Sequence, residues 1–122
     1  MILPEHGVGF AADDRSDCRV ITLAGEVDVA MSGAQEAEFL ALLDGAPGGI
    51  VVLDFSEVAF CDSTGLGILL RAVRHMGSVS GQIRIAAPQD HIARLITMNA
   101  LDRALPMYDT VDEAAAAPLP SA

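Results

Sequence analysis

Short apolar segments recur along the chain and predict β-strands separated by polar or glycine-rich turns. Residues 20–24 are rich in β-branched side chains and precede Gly25, which is typical of a strand that ends in a turn. Residues 50–55 are almost continuously apolar, as in a central strand covered on both faces. Residues 82–87 alternate polar and apolar side chains, and residues 104–108 could form a last edge strand.

Helical spacing of apolar side chains appears between these strands. Residues 34–43 predict an amphipathic helix with Ala37, Leu40 and Ala41 facing inward and Ser32 capping its start. The residues that follow position 62 predict a second helix, whose buried face consists of Leu66, Leu69, Leu70 and Val73.

Two more helices are predicted in the last third of the chain. Residues 90–98 have apolar side chains at helical spacing, with Ile92, Leu95 and Ile96 inward. Thr110 and Glu113 resemble a capping box that opens a helix through Ala117. Because strands and helices alternate, the connections must be crossovers, and we expect a largely parallel sheet with covering helices.

Composition limits the classes of function. The chain has 122 residues, of which 52% are hydrophobic, and its 17 acidic and 7 basic residues give a net charge of -10. This charge disfavours nucleic acid and anionic membranes as partners. No apolar run approaches the roughly 20 residues of a transmembrane helix, and residues 1–6 lack the features of a signal peptide. We therefore expect a cytoplasmic globular protein that binds neither nucleic acid nor membrane.

Other residues with chemical potential have simple explanations. Cys18 and Cys61 lack the spacing of a metal or redox motif and are expected to be buried thiols, with a regulatory disulfide as the alternative. The three histidines are scattered, so no metal site or cofactor is predicted. A solvated acidic face, or docking to a basic patch, would explain Asp13, Asp14, Asp17, Glu36, Glu38 and Asp44.

Ser63 lies at the predicted start of the second helix. One explanation is that Asp62 or Ser63 only caps this helix. The other is that Ser63 is exposed and that a phosphate on it would meet the unpaired N–H groups and the partial positive charge of the helix terminus. Gly65 and Gly67 favour the second explanation, because glycine in the first turns lets a partner approach closely.

Residues 52–67, which end in Asp-Ser-Thr-Gly-Leu-Gly, closely resemble the core signature of the anti-sigma-factor antagonists, which have the STAS fold and regulate sporulation and stress responses. Gly25 to Asp28 resembles the turn that follows an early strand of that family. The resemblance implies an α/β fold with a mixed, mostly parallel sheet of four to five strands and about four helices. It implies a single domain over residues 8–117, with flexible ends at 1–7 and 118–122.

The resemblance also implies a partner-switching function without enzymatic activity. In that family the unmodified antagonist binds an anti-sigma factor with serine kinase activity and so releases a sigma factor; phosphorylation ends the binding and a serine phosphatase restores it. By position, the phosphoacceptor is Ser63, with Thr64 as the less favoured hydroxyl. The implied partner-binding residues are Glu26, Asp28, Asp62, Ser63, Thr64, Gly65, Leu66 and Gly67.

Two alternatives remain open at this stage. A STAS module that is not phosphorylated, and that senses a small ligand or nucleotide or serves as a scaffold, would share the same fold and face. An enzyme is disfavoured because Ser63 is not within a Gly-x-Ser-x-Gly nucleophile elbow. Arg71 and Arg74 are expected to be exposed supports of the Ser63 helix, and either could reach a phosphate.

Overall fold

A computed structural model describes residues 4–119, which form one five-stranded sheet with helices on both faces. The strands are β1 (Val8–Asp14), β2 (Arg19–Val27), β3 (Ile50–Cys61), β4 (Gln82–Ala86) and β5 (Met107–Tyr108). The helices are α1 (Ala34–Leu42), α2 (Ser63–Gly77), α3 (Asp90–Met98) and α4 (Val111–Ala116), with short 3-10 turns at Val29–Met31 and Pro47–Gly49.

The strands lie in the order β1-β2-β3-β4-β5. β1 pairs with β2 antiparallel, whereas every other neighbouring pair is parallel. The predicted mixed, mostly parallel sheet with about four helices is therefore confirmed. Of the ends predicted to be flexible, residues 1–7 and 118–122, positions 1–3 and 120–122 lie outside the described residues.

Two cores lie on the two faces of the sheet. The larger one packs α1, α2 and α3 against alternate residues of the strands, such as Val51, Leu53 and Phe55 of β3. The smaller one packs α4 against the other face, with Val52 at its centre and Ala114 contributed by the helix. The almost continuous apolar run of β3 is explained because both of its faces are covered.

The first helix differs from the prediction. Ala37 and Ala41 are exposed, whereas Phe39 is fully buried and its ring stacks on that of Phe10 in β1, with centroids 5.8 Å apart. The largest apolar side chain thus sets which face of α1 meets the sheet. The predicted cap Ser32 is also wrong, because Ser32 closes the preceding 3-10 turn and Gly33 occupies the N-cap position.

The buried face of α2 is also rotated from its predicted position. Leu66 and Leu69 are buried as expected, but Leu70 and Val73 are only half-buried. The rest of the face that meets the sheet consists of Gly65, Ile68, Ala72 and Met76.

Three strand lengths were misjudged. β2 continues through Gly25, where a turn was predicted, and ends at Val27. β3 runs through Cys61 and not only to Phe55, and its pairing with β2 shifts register twice near its end, which marks β-bulges. β5 is only two residues long, shorter than the predicted segment 104–108.

The fully buried Arg84 of β4 fastens α4 to the sheet. Its guanidinium donates from Nη1 to the carbonyl of Ala114 at 2.7 Å and from Nη2 to that of Pro118 at 3.4 Å. Its Nε donates to the Oε1 of Gln82 at 3.0 Å. A cation near the last carbonyls of a helix is favoured by the helix dipole. Arg84 therefore stabilises the C-terminal end of α4 on the sheet.

Candidate functional site

The ends of β2 and β3 place two aspartates at one edge of the sheet. Val27 and Cys61 pair as the last residues of these parallel strands, and Asp28 and Asp62 follow them directly. Asp28 Oδ1 accepts a hydrogen bond from the N–H of Ala30 at 2.9 Å, so it caps the 3-10 turn. Asp62 Oδ1 accepts one from the N–H of Gly65, also at 2.9 Å, so it caps α2.

Ser63 is the first residue of α2 and is exposed, as is Thr64. The cap of α2 is Asp62, so the capping explanation holds for the aspartate and leaves the serine hydroxyl unused by the cap. The first turn of a helix carries unpaired N–H groups and partial positive charge. Ser63 thus has the exposure and the position that a modifiable hydroxyl needs.

Gly65 allows the first turn of α2 to lie directly against β2. It is buried, and a Cβ added to it would overlap the backbone carbonyl oxygen of Val27. The N–H of Asp62 also donates to that carbonyl, at 3.4 Å. These contacts fix the position of the first turn of α2, and therefore of Ser63, relative to the end of β2.

Arg71, one turn further along α2 than Gly67, forms an ion pair with Glu36 of α1. Its Nε and Nη2 donate to the two carboxylate oxygens of Glu36 at 2.6 and 3.0 Å. The hydrogen bond and charge of Arg71 hold the pKa of the Glu36 carboxyl below its usual value. The pair joins the two helices that lie nearest the site.

Two exposed apolar side chains flank this edge. Phe60 of β3 is 45% exposed and Val29, next to Asp28, is 69% exposed. Phe60 lies opposite Glu26 in the pairing of β2 with β3, just beyond a shift in register. Exposed apolar patches rimmed by polar residues mark protein-binding surfaces, whereas singly exposed apolar side chains are common on any surface.

Neither cysteine is positioned for redox chemistry within one chain. Both thiols are free and buried, and since β2 and β3 are parallel, Cys18 before β2 and Cys61 at the end of β3 lie at opposite edges of the sheet. Burial, and secondarily the charges of Asp62 and Asp28, raise the pKa of Cys61 to about 12. A regulatory disulfide between them is therefore wrong for the single chain.

The edge of the sheet brings together most of the residues named from the sequence. Asp28, Asp62, Ser63 and Thr64 are exposed or half-exposed there, Gly67 is half-buried, and Gly65 and Leu66 are buried beneath them. Glu26 is exposed within β2 and its N–H donates to the carbonyl of Gly7 at 2.8 Å.

Three features of the site are not predicted by the sequence pattern. These are the exposed side chains of Val29 and Phe60 and the ion pair between Glu36 and Arg71. A signal existed for Phe60, because an apolar residue directly before the inward Cys61 must point outward.

Within residues 4–119, no group of three or more His, Cys, Asp or Glu side chains is arranged to hold a metal ion. Over the same residues, the longest helices are too short or too polar to cross a bilayer.

Comparison with known proteins identifies the class. Residues 10–114 match the STAS domain, so the chain belongs to the STAS domain family. Candidate anti-sigma factor antagonists of Thermotoga neapolitana and Thermotoga maritima are 31% and 30% identical to it over 64 residues. These matches span 52% of this chain and 57% of each relative's length.

Other similar proteins bear the name of anti-sigma factor antagonist. The anti-sigma F factor antagonist of Paenibacillus polymyxa is 24% identical over 90 residues, covering 74% of this chain and 77% of that protein. The crystal structure of an anti-sigma factor antagonist from Mycobacterium paratuberculosis superposes with a TM-score of 0.77 at 27% identity, over 93% of this chain and 95% of that one. Unphosphorylated SpoIIAA has the same fold, with a TM-score of 0.69 at 21% identity, over 87% and 92%.

Proposed function

We propose that this chain is an anti-sigma factor antagonist that works by partner switching and has no enzymatic activity of its own. Its unmodified form binds an anti-sigma factor with serine kinase activity in the cytoplasm and thereby releases a sigma factor. Phosphorylation of Ser63 ends that binding, and a serine phosphatase restores it. The observation that carries the proposal is an exposed serine directly after the capping Asp62, on the first turn of α2.

The position of Ser63 suits a phosphoacceptor. Its side chain is exposed, and the hydrogen bond that caps α2 is made by Asp62. A kinase could therefore phosphorylate Ser63 without breaking the cap of the helix. Thr64 is exposed as well and is the less favoured acceptor, because the family resemblance selects the residue directly after the motif aspartate.

The charge around Ser63 makes phosphorylation an effective switch. A phosphate adds about -1.5 to -2 charges, here beside Asp62 and near the edge that carries Asp28, on a chain of net charge -10. Moving a population from nearly all bound to nearly all free requires about 5.5 kcal/mol. An exposed charge pair supplies at most about 1 kcal/mol. The phosphate must therefore lie inside the contact surface, where the cost of desolvating it and steric overlap with the partner add to the charge repulsion.

The partner surface is proposed to include the exposed residues of this edge. Glu26, Asp28, Asp62, Ser63 and Thr64 would offer polar contacts and negative charge, and Gly67 would permit close approach. Gly65 and Leu66 are buried and would support the surface from beneath. Val29 and Phe60 would add the apolar contacts, so the partner should present basic side chains around an apolar pocket.

Incubation with ATP and the kinase partner, followed by mass spectrometry, tests the acceptor. We expect the mass of one phosphate, mapped to Ser63 and absent in Ser63→Ala. Titration calorimetry with the anti-sigma factor tests the switch: Ser63→Ala should bind as the wild type does, and Ser63→Asp should bind at least tenfold more weakly.

The matched control is Ser16→Asp. Ser16 is exposed in the turn between β1 and β2, at the opposite edge of the sheet, so this variant adds the same charge away from the site. Equal weakening by both aspartates would mean that net charge alone acts, which contradicts the proposed contact surface. Binding without phosphorylation by any kinase would instead favour the unphosphorylated scaffold module.

A further inference from the structure

We infer that Arg71, held by Glu36, is a ligand for the phosphate that Ser63 would carry. This inference concerns how the modified form is stabilised and rests on the proposed phosphorylation of Ser63. It assigns a role to an ion pair that the switching cycle does not itself require.

The geometry of α2 places Arg71 on the same side of the helix as Ser63, about two turns closer to its C-terminal end. Ser63, Gly67 and Arg71 are spaced by four residues, slightly more than one turn each, so they follow one another along one side of the helix, where Ser63 and Arg71 are exposed and Gly67 is half-buried. Side chains on a helix lean toward its N-terminus, so the guanidinium of Arg71 is carried toward Ser63.

Gly67 leaves the path between them open. A Cβ added at Gly67 would find Arg71 Nη1 at 3.6 Å as its nearest neighbour. The guanidinium therefore lies beside the turn of Gly67, about one turn, or about 5.4 Å along the axis, from Ser63. In the proposed contact, the phosphate on the serine oxygen and the flexible Arg71 side chain together span this gap of about one turn.

Glu36 orients Arg71 without occupying the nitrogen that faces Gly67. The carboxylate takes Nε and Nη2, and among the described residues Nη1 has no hydrogen-bond partner. A guanidinium has five N–H donors in a rigid fork, so one edge can hold Glu36 while Nη1 contacts a phosphate. The Glu36 side chain is only 15% exposed, which limits its freedom to follow other partners.

The second pKa of a phosphoserine at position 63 reports the contact directly. Phosphoserine placed there by genetic encoding needs no kinase, and its phosphorus NMR signal can be followed between pH 4 and 8. A guanidinium near the phosphate stabilises the dianion, so we expect this pKa to be lower in the wild-type background than in Arg71→Gln by about 0.5 unit. Arg71→Lys should keep part of the shift, because it keeps the charge and loses the fork.

Arg74→Gln is the matched control. Arg74 lies on the same exposed side of α2, one turn beyond Arg71. The variant therefore removes the same charge from a place too distant to touch the phosphate. It should leave the phosphoserine pKa within about 0.1 unit of the wild-type value, a screened long-range effect. Circular dichroism of each variant checks that α2 is retained.

A second measurement follows the Nε–H signal of Arg71 in the same titration. It should move with the phosphoserine pKa, and that of Arg74 should not. Equal pKa values in the wild-type and Arg71→Gln backgrounds would overturn the inference, as would equal effects of Arg71→Gln and Arg74→Gln. Neither result would bear on whether a kinase modifies Ser63, which the mass spectrometry decides separately.

Discussion

Gly65 of α2 lies directly against the backbone carbonyl oxygen of Val27 at the end of β2, leaving no room for a side chain between them. This contact, and not the serine itself, sets where the start of α2 meets the sheet. The motif glycines at 65 and 67 therefore have different tasks, because Gly67 has open space around it apart from Arg71.

Substitution of the two glycines by alanine should separate these tasks. The methyl group of Gly65→Ala would push the start of α2 away from β2, which should lower the free energy of unfolding by about 1–3 kcal/mol. Gly67→Ala meets only an ordinary contact and should raise it by up to about 1 kcal/mol, because alanine favours a helix. Urea denaturation of both variants measures the difference. Equal effects would contradict the distinct packing of the two positions.

Phe60→Ala should weaken binding to the proposed anti-sigma factor partner more than it weakens the fold. The ring is 45% exposed near the end of β3, opposite Glu26, so its loss should cost little stability, whereas an apolar anchor in an interface commonly contributes more than 1 kcal/mol. We expect at least a fivefold higher Kd by calorimetry.

Val79→Ala is the control for Phe60→Ala. Val79 is 71% exposed and follows the C-terminal end of α2, away from the start of that helix. Its Kd should stay at the wild-type value. A loss shared by both variants would remove Phe60 from the proposed interface.

Cys61 should make stability fall with pH in the alkaline range. Its pKa is about 12 in the folded chain against a usual value of 9.0, so the unfolded chain releases the thiol proton first. The contribution is fully present below pH 9 and is lost as the pH rises toward 12. Cys61→Ala should show a shallower decline in the free energy of unfolding over this window, and a native thiol that resists alkylation at pH 8 would be a second sign.

The pair of Glu36 with Arg71 should act in the acidic range. The pKa of Glu36 is lowered by Arg71, so the pair stabilises the fold above the usual value of 4.5 and loses its effect as the pH falls through the lower, folded value. Glu36→Gln should therefore cost up to about 1 kcal/mol at pH 7 and nothing at low pH. Thermal or urea unfolding at both pH values measures this, and a cost that is independent of pH would indicate lost packing.

How far the sequence predicted the molecule depended on how local each signal was. Strand β4, helix α3 and the start of α2 follow from short patterns and caps and were placed well, whereas β2 was predicted to end at Gly25 and runs on to Val27. β1 was not located, because five of its seven residues are not buried and show no clear alternation. The second half of β3 was not predicted as strand, because the exposed Ser56 and Glu57 interrupt the apolar run and the shift in register there breaks the alternation.

In the candidate site, too, the local features could be predicted from the sequence, and the contacts between distant residues could not. The Asp-Ser-Thr-Gly stretch is contiguous, so its place at a helix start could be read from neighbouring residues. The partnership of Glu36 with Arg71 joins residues 35 positions apart, and no local pattern announces it. The close approach of Gly65 to the carbonyl of Val27 likewise depends on how α2 packs against β2, two elements that the chain brings together only when folded.

The anchoring of α4 by Arg84 bears on how such a protein would be degraded. The guanidinium is wholly buried and holds the carbonyls of Ala114 and Pro118, without a carboxylate partner among the described residues. A protease that removes α4 would take away both carbonyl acceptors and uncover the apolar residues that α4 covers, such as Val52, which would lower the free energy of unfolding. Loss of α4 would therefore destabilise the sheet on the side away from α1, α2 and α3, so a shortened chain should unfold more readily and be a better protease substrate than the intact one.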